Sequence, residues 1–379
     1  MRKHYLDNIR WPTVILVVVY HVLFMYNSVG LAVGTFPTEG PHYQDALLYM
    51  LYPWFMIILF IISGISARIY LEKHSIREFI RSRTDKLLVP STLGLFVWCW
   101  IQGWISMKSS QLISPEPIMP ENIPAPVMYF IQVLSGIGVL WFIQLLWVFS
   151  IVLALIRKLE KGKLYALCGK ATTPVVILLV IPLFFAGLVL NTPFIPVYRF
   201  GYYGFGFLLG YFLFSQDAVI DRLRKYRFIF LPAALALGIF YTVMYYGQNY
   251  ADATAHIEVI NSVPAVAFAW VAVLAIFSCA REWFDKESNF TRFMVKKSFG
   301  IYMFHYIGLS AMALFLYRYE AVPLAVRYIA VLVAGLAAGY VLPEIIRRIP
   351  VLRFLIMGIS KPKKNTDISK AKEAAAVQK

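Results

Sequence analysis

The amino-acid sequence predicts an all-α integral membrane protein, a bundle of about ten transmembrane helices with both termini cytoplasmic. Three observations predict it. Of the 379 residues 60% are hydrophobic and only 15% charged, against roughly 25% charged in soluble proteins; mean hydropathy is +0.67. The apolar residues gather into ten runs long enough, or nearly so, to span a bilayer. Lysine and arginine gather in every second gap between those runs, as the positive-inside rule requires. The net charge of +16 would suggest nucleic acid in a soluble chain. Here the charge sits in short loops, so topology accounts for it and no nucleic-acid partner is expected.

The first run, 11–30, opens at Arg10 and contains His21. Met1-Arg2-Lys3 ahead of it could begin a signal peptide, but no A-x-A-like cleavage site follows, so a retained helix is expected. The second run, 47–70, carries the small-residue patch Ser63-Gly64-Ile65-Ser66-Ala67, which favours close helix approach. The third, 88–106, is broken at its start by Pro90. The gap 107–137 holds Pro115, Pro117, Pro120, Pro124 and Pro126, which exclude regular structure over much of it. The fourth run, 138–157, places Trp141 and Phe142 where an interfacial aromatic belt is expected, and Gln144 beyond them needs a partner. The fifth is 173–190. The sixth, 200–214, is short, and its Gly201, Gly204, Gly206 and Gly210 suit close packing. Runs at 228–246, 262–280, 298–317 and 324–346 complete the ten. The basic gaps hold Lys73 to Lys86, Arg157 to Lys170, Arg222 to Arg227 and Arg281 to Lys297; in the alternate gaps Lys108, Arg199 and Arg318 stand alone. Residues 1–358 thus form one membrane domain. Residues 359–379 are polar and lysine-rich, expected to be a disordered cytoplasmic tail attracted to anionic lipid. Cys99, Cys168 and Cys279 are far apart and read as free thiols.

Of six histidines, only His21 and His305 lie inside the apolar runs. An ionisable group at that depth is costly and is by default a functional hypothesis. His21 lies eleven positions after Arg10. At about 100° and about 1.5 Å per residue they share one helix face, about 16 Å apart, the cation at the surface and the imidazole near mid-bilayer. His305 is expected roughly 10 Å from the cytoplasmic end of its helix. Both imidazoles should face one cavity as base or hydrogen-bond donor; the alternative is two histidines serving packing alone. In the basic segment running into the third run, Arg81, Arg83 and Lys86 join Arg10 as candidate phosphate ligands. No glycine-rich phosphate loop is present, and the histidines show no metal-ligand spacing.

These residues resemble the acyltransferase-3 family of bacterial membrane acyltransferases. Arg10 and His21, with ten residues between, match its first signature, preceded by Leu6-Asp7-Asn8-Ile9. Phe60-Ile61-Ile62-Ser63-Gly64 matches the second. Arg83 and Lys86 before Pro90 match the third, with lysine where a second arginine is frequent. Ile301-Tyr302-Met303-Phe304-His305 matches the fourth. Leu140-Trp141-Phe142 is also similar, with Val139 where a histidine often stands. The C-terminal stretch from Glu344 resembles the branch containing the osmoregulated periplasmic glucan succinyltransferase.

The resemblance implies transfer of an acyl group, acetyl foremost, from cytoplasmic acyl-CoA to a hydroxyl of a cell-surface carbohydrate or lipid-linked glycan, by a multi-pass protein of the bacterial cytoplasmic membrane and without a metal. Succinyl transfer to a periplasmic glucan is the variant reading. On this reading Arg10 and Arg83, with Arg81 and Lys86, hold donor phosphate, His21 is the general base, and His305 is a second polar contact to acceptor or thioester. No carboxylate is in view to orient His21. A proton-coupled transporter or flippase is the rival reading, against which stand the lack of an internal repeat and of a midplane acid. A receptor or scaffold without chemistry is a third.

Overall fold

The computed structural model describes residues 3–29, 34–38, 42–114, 120, 122–190, 197–249 and 256–360. Nearly all of the expected tail, 361–379, lies outside them. All ten apolar runs fall on helices. These are α1 (His4–Met25), α2 (Asp45–Leu71), α3 (Ile76–Ile113), α4 (Ala125–Ser135), α5 (Gly138–Glu160), α6 (Lys163–Gly169), α7 (Thr173–Gly187), α8 (Phe200–Phe214), α9 (Asp217–Arg224), α10 (Arg227–Tyr245), α11 (Val263–Trp283), α12 (Asn289–Tyr317), α13 (Leu324–Ile346) and α14 (Pro350–Met357). Among the described residues eight are long and apolar enough to cross a membrane, or nine if α6 and α7, bent by 115°, make one crossing. The sixth expected span, α8, is one of the shorter apolar helices.

Two helices begin well before their apolar runs, and this moves both histidines. α1 starts at His4 and ends at Met25, so His21 lies one turn from its far end rather than at its middle. α12 starts at Asn289, where the Ser288 side chain accepts the Thr291 N–H at 3.0 Å. His305 is therefore sixteen residues in, about 24 Å, and not near the helix start. The first turns of both helices are polar, which hides them from a hydropathy reading while leaving their backbone helical.

The proline-rich gap is shorter than expected. α3 continues to Ile113, and α4 occupies 125–135. Pro124 is the N-cap of α4 and Pro126 sits in its first turn, where a missing N–H breaks no helical bond. α3 is irregular before that, with widened π-type turns at Thr84–Leu88 and Leu95–Cys99 flanking Pro90, which has no N–H to donate.

Small residues set a close crossing of α2 and α8. A Cβ on Gly64 of α2 would lie 2.0 Å from the Phe207 carbonyl of α8, and one on Gly210 of α8 would lie 2.0 Å from the Ile61 carbonyl of α2. α1 packs between α2 and α12. Its start is tied to the basic end of the bundle: Asn8 donates to the Phe284 and Lys286 carbonyls at 2.6 and 2.8 Å, the Tyr5 N–H donates to Asp285 at 3.0 Å, and Lys3 pairs with Asp217 at 3.0 Å. Exposed pairs add little stability each, but together these contacts set the height of α1 against α12.

Candidate functional site

The contacts that set this height bring the two histidines together. His21 is seventeen residues into α1, about 25 Å, and His305 about 24 Å into α12. Their rings lie 5.1 Å apart between centroids, and His305 Nε2 is 3.2 Å from His21 Nδ1. His305 is fully buried; His21 is half-buried.

The acceptors around each ring assign the protons. His305 Nδ1 faces two carbonyl oxygens, of Tyr302 at 2.9 Å and Ile301 at 3.0 Å. A carbonyl only accepts, so Nδ1 carries the hydrogen, and a neutral His305 presents Nε2 as a lone pair. His21 Nδ1 faces that lone pair and the Val17 carbonyl at 2.8 Å, so it too carries a hydrogen. The remaining nitrogen of His21, Nε2, holds a lone pair. His21, and not His305, lines the adjoining cavity. The orienting group that no carboxylate provides is thus the second histidine, itself anchored by backbone.

That cavity has a volume of about 250 Å³ and is walled by Tyr20, Tyr52, Trp141, Tyr203, Tyr302 and Tyr306. Gln102 and Ser106 add polar groups, in a chain where Ser310 donates to Gln102 at 3.1 Å and Gln102 to Ser106 at 3.2 Å. Trp141 and Phe142 do not form an aromatic belt. Trp141 faces this cavity, and Phe142 is buried with its ring 4.6 Å from that of Phe60. Rings of α2, α8 and α12 surround the pair, Phe60 and Tyr203 beside Trp141 and Phe60 and Tyr302 beside Phe142, which a linear reading does not see. Gln144 finds its partners in the Ser91 carbonyl at 3.0 Å and the Tyr198 hydroxyl.

Arg10 lines a second cavity of about 250 Å³, with Leu59, Ser63, Leu87, Ser298 and Tyr302. It donates to Ser66 at 2.8 Å and lies 3.6 Å from Asp7. Arg83 lies over the Phe79 ring at 5.1 Å, near enough to Arg10 for the two charges to repel. Arg10 and His21, expected on one face of α1, line two neighbouring cavities with Tyr302 in the wall of both. The Tyr302 hydroxyl donates to the Val139 carbonyl, which holds that ring in place. Arg81, Arg83 and Lys86 line neither cavity, and Arg81 and Lys86 are exposed. The residues that sequence reading missed are Tyr302, Tyr203 and Gln102. The first belongs to the motif around His305 and was legible there; the others carry no local signal. A further cavity of about 760 Å³ is almost wholly apolar and holds neither histidine. Among the described residues no group of three metal-ligating side chains forms.

No curated protein and no solved structure matches the chain. A family model described as an acyltransferase domain matches residues 3–343, which takes in α1 through most of α13 and so both histidines, Arg10 and Arg83. With residues 3–343 of its 379 matched, the chain belongs to the acyltransferase-3 family.

Proposed function

We propose that this membrane acyltransferase moves an acyl group, acetyl foremost, from cytoplasmic acyl-CoA to a hydroxyl of a cell-surface carbohydrate or lipid-linked glycan, with His21 as general base. The observation that carries the reading is the His305 to His21 contact, which leaves a lone pair on the one imidazole nitrogen available to the cavity. His21 Nε2 takes the hydroxyl proton as the oxygen attacks the thioester carbonyl. The imidazolium then returns that proton to the leaving thiolate. His305 touches no substrate; it accepts from His21 Nδ1 and fixes its tautomer. Arg10, which lines the second cavity, and Arg83 hold donor phosphate through charge-assisted hydrogen bonds. By the positive-inside rule the end bearing them is cytoplasmic, with both termini there. The acceptor enters from the opposite end, where a wider cavity of about 620 Å³ is lined by Tyr26, Phe36, His42, Tyr317 and Arg327.

Two variants test the roles apart. His305→Phe keeps the ring volume and removes the acceptor, so kcat should fall by about 10²-fold while KM for acetyl-CoA hardly moves; an equal rise in KM would place His305 in contact with donor. Arg10→Ala should do the reverse. Removing one charge-assisted contact costs about 1.5–3 kcal/mol, so KM for acetyl-CoA should rise by about 10- to 10²-fold with kcat largely kept. An unchanged KM would remove Arg10 from the donor site. Both are read as thiol release from acetyl-CoA by detergent-purified protein.

A further inference from the structure

Arg199 reads in the sequence as a lone loop cation. In the structure it is 1% exposed. It is the N-cap residue of α8, with its guanidinium 3.9 Å from the Tyr202 ring centroid and 5.6 Å from that of Tyr203. One of its terminal nitrogens donates to the side-chain oxygen of Asn261. Among the described residues no carboxylate pairs with it. Its Nε is buried without a partner, and so is Nδ2 of Asn261, a residue only 2% exposed. Asn261 immediately precedes Ser262, whose side chain caps α11 by accepting the Ala265 N–H. The N-termini of α8 and α11 therefore meet at this point, each carrying partial positive charge. A buried cation, two orphaned N–H donors and two positive helix ends converge with no anion among them. Tyrosine faces offset part of the charge. The donors remain unsatisfied, and buried N–H groups without an acceptor are costly.

The place is next to the transfer cavity. Tyr203, which the guanidinium reaches, lines the His21 cavity, as do Tyr52 and Val197. We propose that Arg199 and Asn261, with the N-termini of α8 and α11, form an anion site beside that cavity which takes a carboxylate or phosphate carried by one of the transfer partners. The inference rests on the His21 cavity being the place of transfer. It adds that one of the molecules meeting there bears a negative charge apart from the donor's own phosphates.

The test uses full-length protein in detergent at constant ionic strength, with inorganic phosphate titrated against the thermal unfolding midpoint. Wild type should show a saturable rise. Arg199→Gln should weaken it at least tenfold. Because that variant could lose its fold, Asn261→Asp is the second: it gives Arg199 a built-in carboxylate, so the fold is kept and the anion has no vacancy to fill. Phosphate binding unchanged in Asn261→Asp, or no saturable response in wild type, overturns the proposal. In wild type, displacement of phosphate by succinyl-CoA but not acetyl-CoA supports an anion on the acyl group; displacement by neither supports one on the acceptor. Wild-type turnover of acetyl-CoA that is lost in His21→Ala, with no saturable phosphate response in wild type, marks failure of this site alone; turnover kept in His21→Ala marks failure of the transferase reading.

Discussion

Replacing His21 by alanine is expected to lower acyl transfer by about 10²–10⁴-fold, the range that a positioned general base contributes. The lost group is the only nitrogen of the imidazole pair that borders the cavity, since His305 spends one nitrogen on two backbone carbonyls and the other on His21. Little of the fold should go with it. His21 is half-buried against a cavity, so truncation enlarges an existing space rather than opening one in packed core. Thiol release from acetyl-CoA, measured beside gel filtration of the detergent-purified variant, decides the matter. Near-normal turnover from a well-folded variant would remove His21 from the chemistry and leave the pair as packing.

A second large effect should come from a residue that touches no substrate. Gly64→Val would set its Cβ 2.0 Å from the Phe207 carbonyl, a backbone atom that cannot rotate away. α2 and α8 would have to separate. Overpacking of this kind costs about 3 kcal/mol or more, which in a chain of this size should lower the unfolding midpoint by on the order of 5 °C. The separation also reaches the site. Phe60, one turn before Gly64, stacks on Tyr203 of α8 with centroids 4.7 Å apart, and Tyr203 lines the His21 cavity. Transfer should therefore fall along with stability. A variant with wild-type melting would mean that the two helices have room to shift, contrary to the reciprocal contact of Gly210 with Ile61.

The helix bundle and its likeness to a known family were legible because both depend on local signals. Apolar runs report burial in lipid one segment at a time, and the signatures around Arg10, Gly64, Arg83 and His305 are short. The site was legible in its parts. His21 and His305 were found as ionisable groups in apolar runs, and their similar depth holds, though both sit farther from the basic end than a hydropathy window suggests. Their order of action was not legible. Which imidazole faces the cavity depends on the carbonyls of Tyr302, Ile301 and Val17 around the rings, and backbone acceptors carry no residue type.

Arg199 marks the limit most clearly. In the chain it is one cation in a short gap, indistinguishable from Lys108 or Arg318. Its burial follows from the packing of α8 and α11, whose N-termini come from positions some sixty residues apart. Composition and charge alternation thus settled that this chain is a bundle of apolar helices and which of them carry titratable groups. Tertiary structure alone decided which groups meet, which nitrogen stays open, and that Tyr302 stands between the arginine and histidine cavities. The reason is physical: hydrophobicity and charge are properties of single residues, whereas proton position, charge pairing and cavity walls are properties of neighbours brought together from distant parts of the chain.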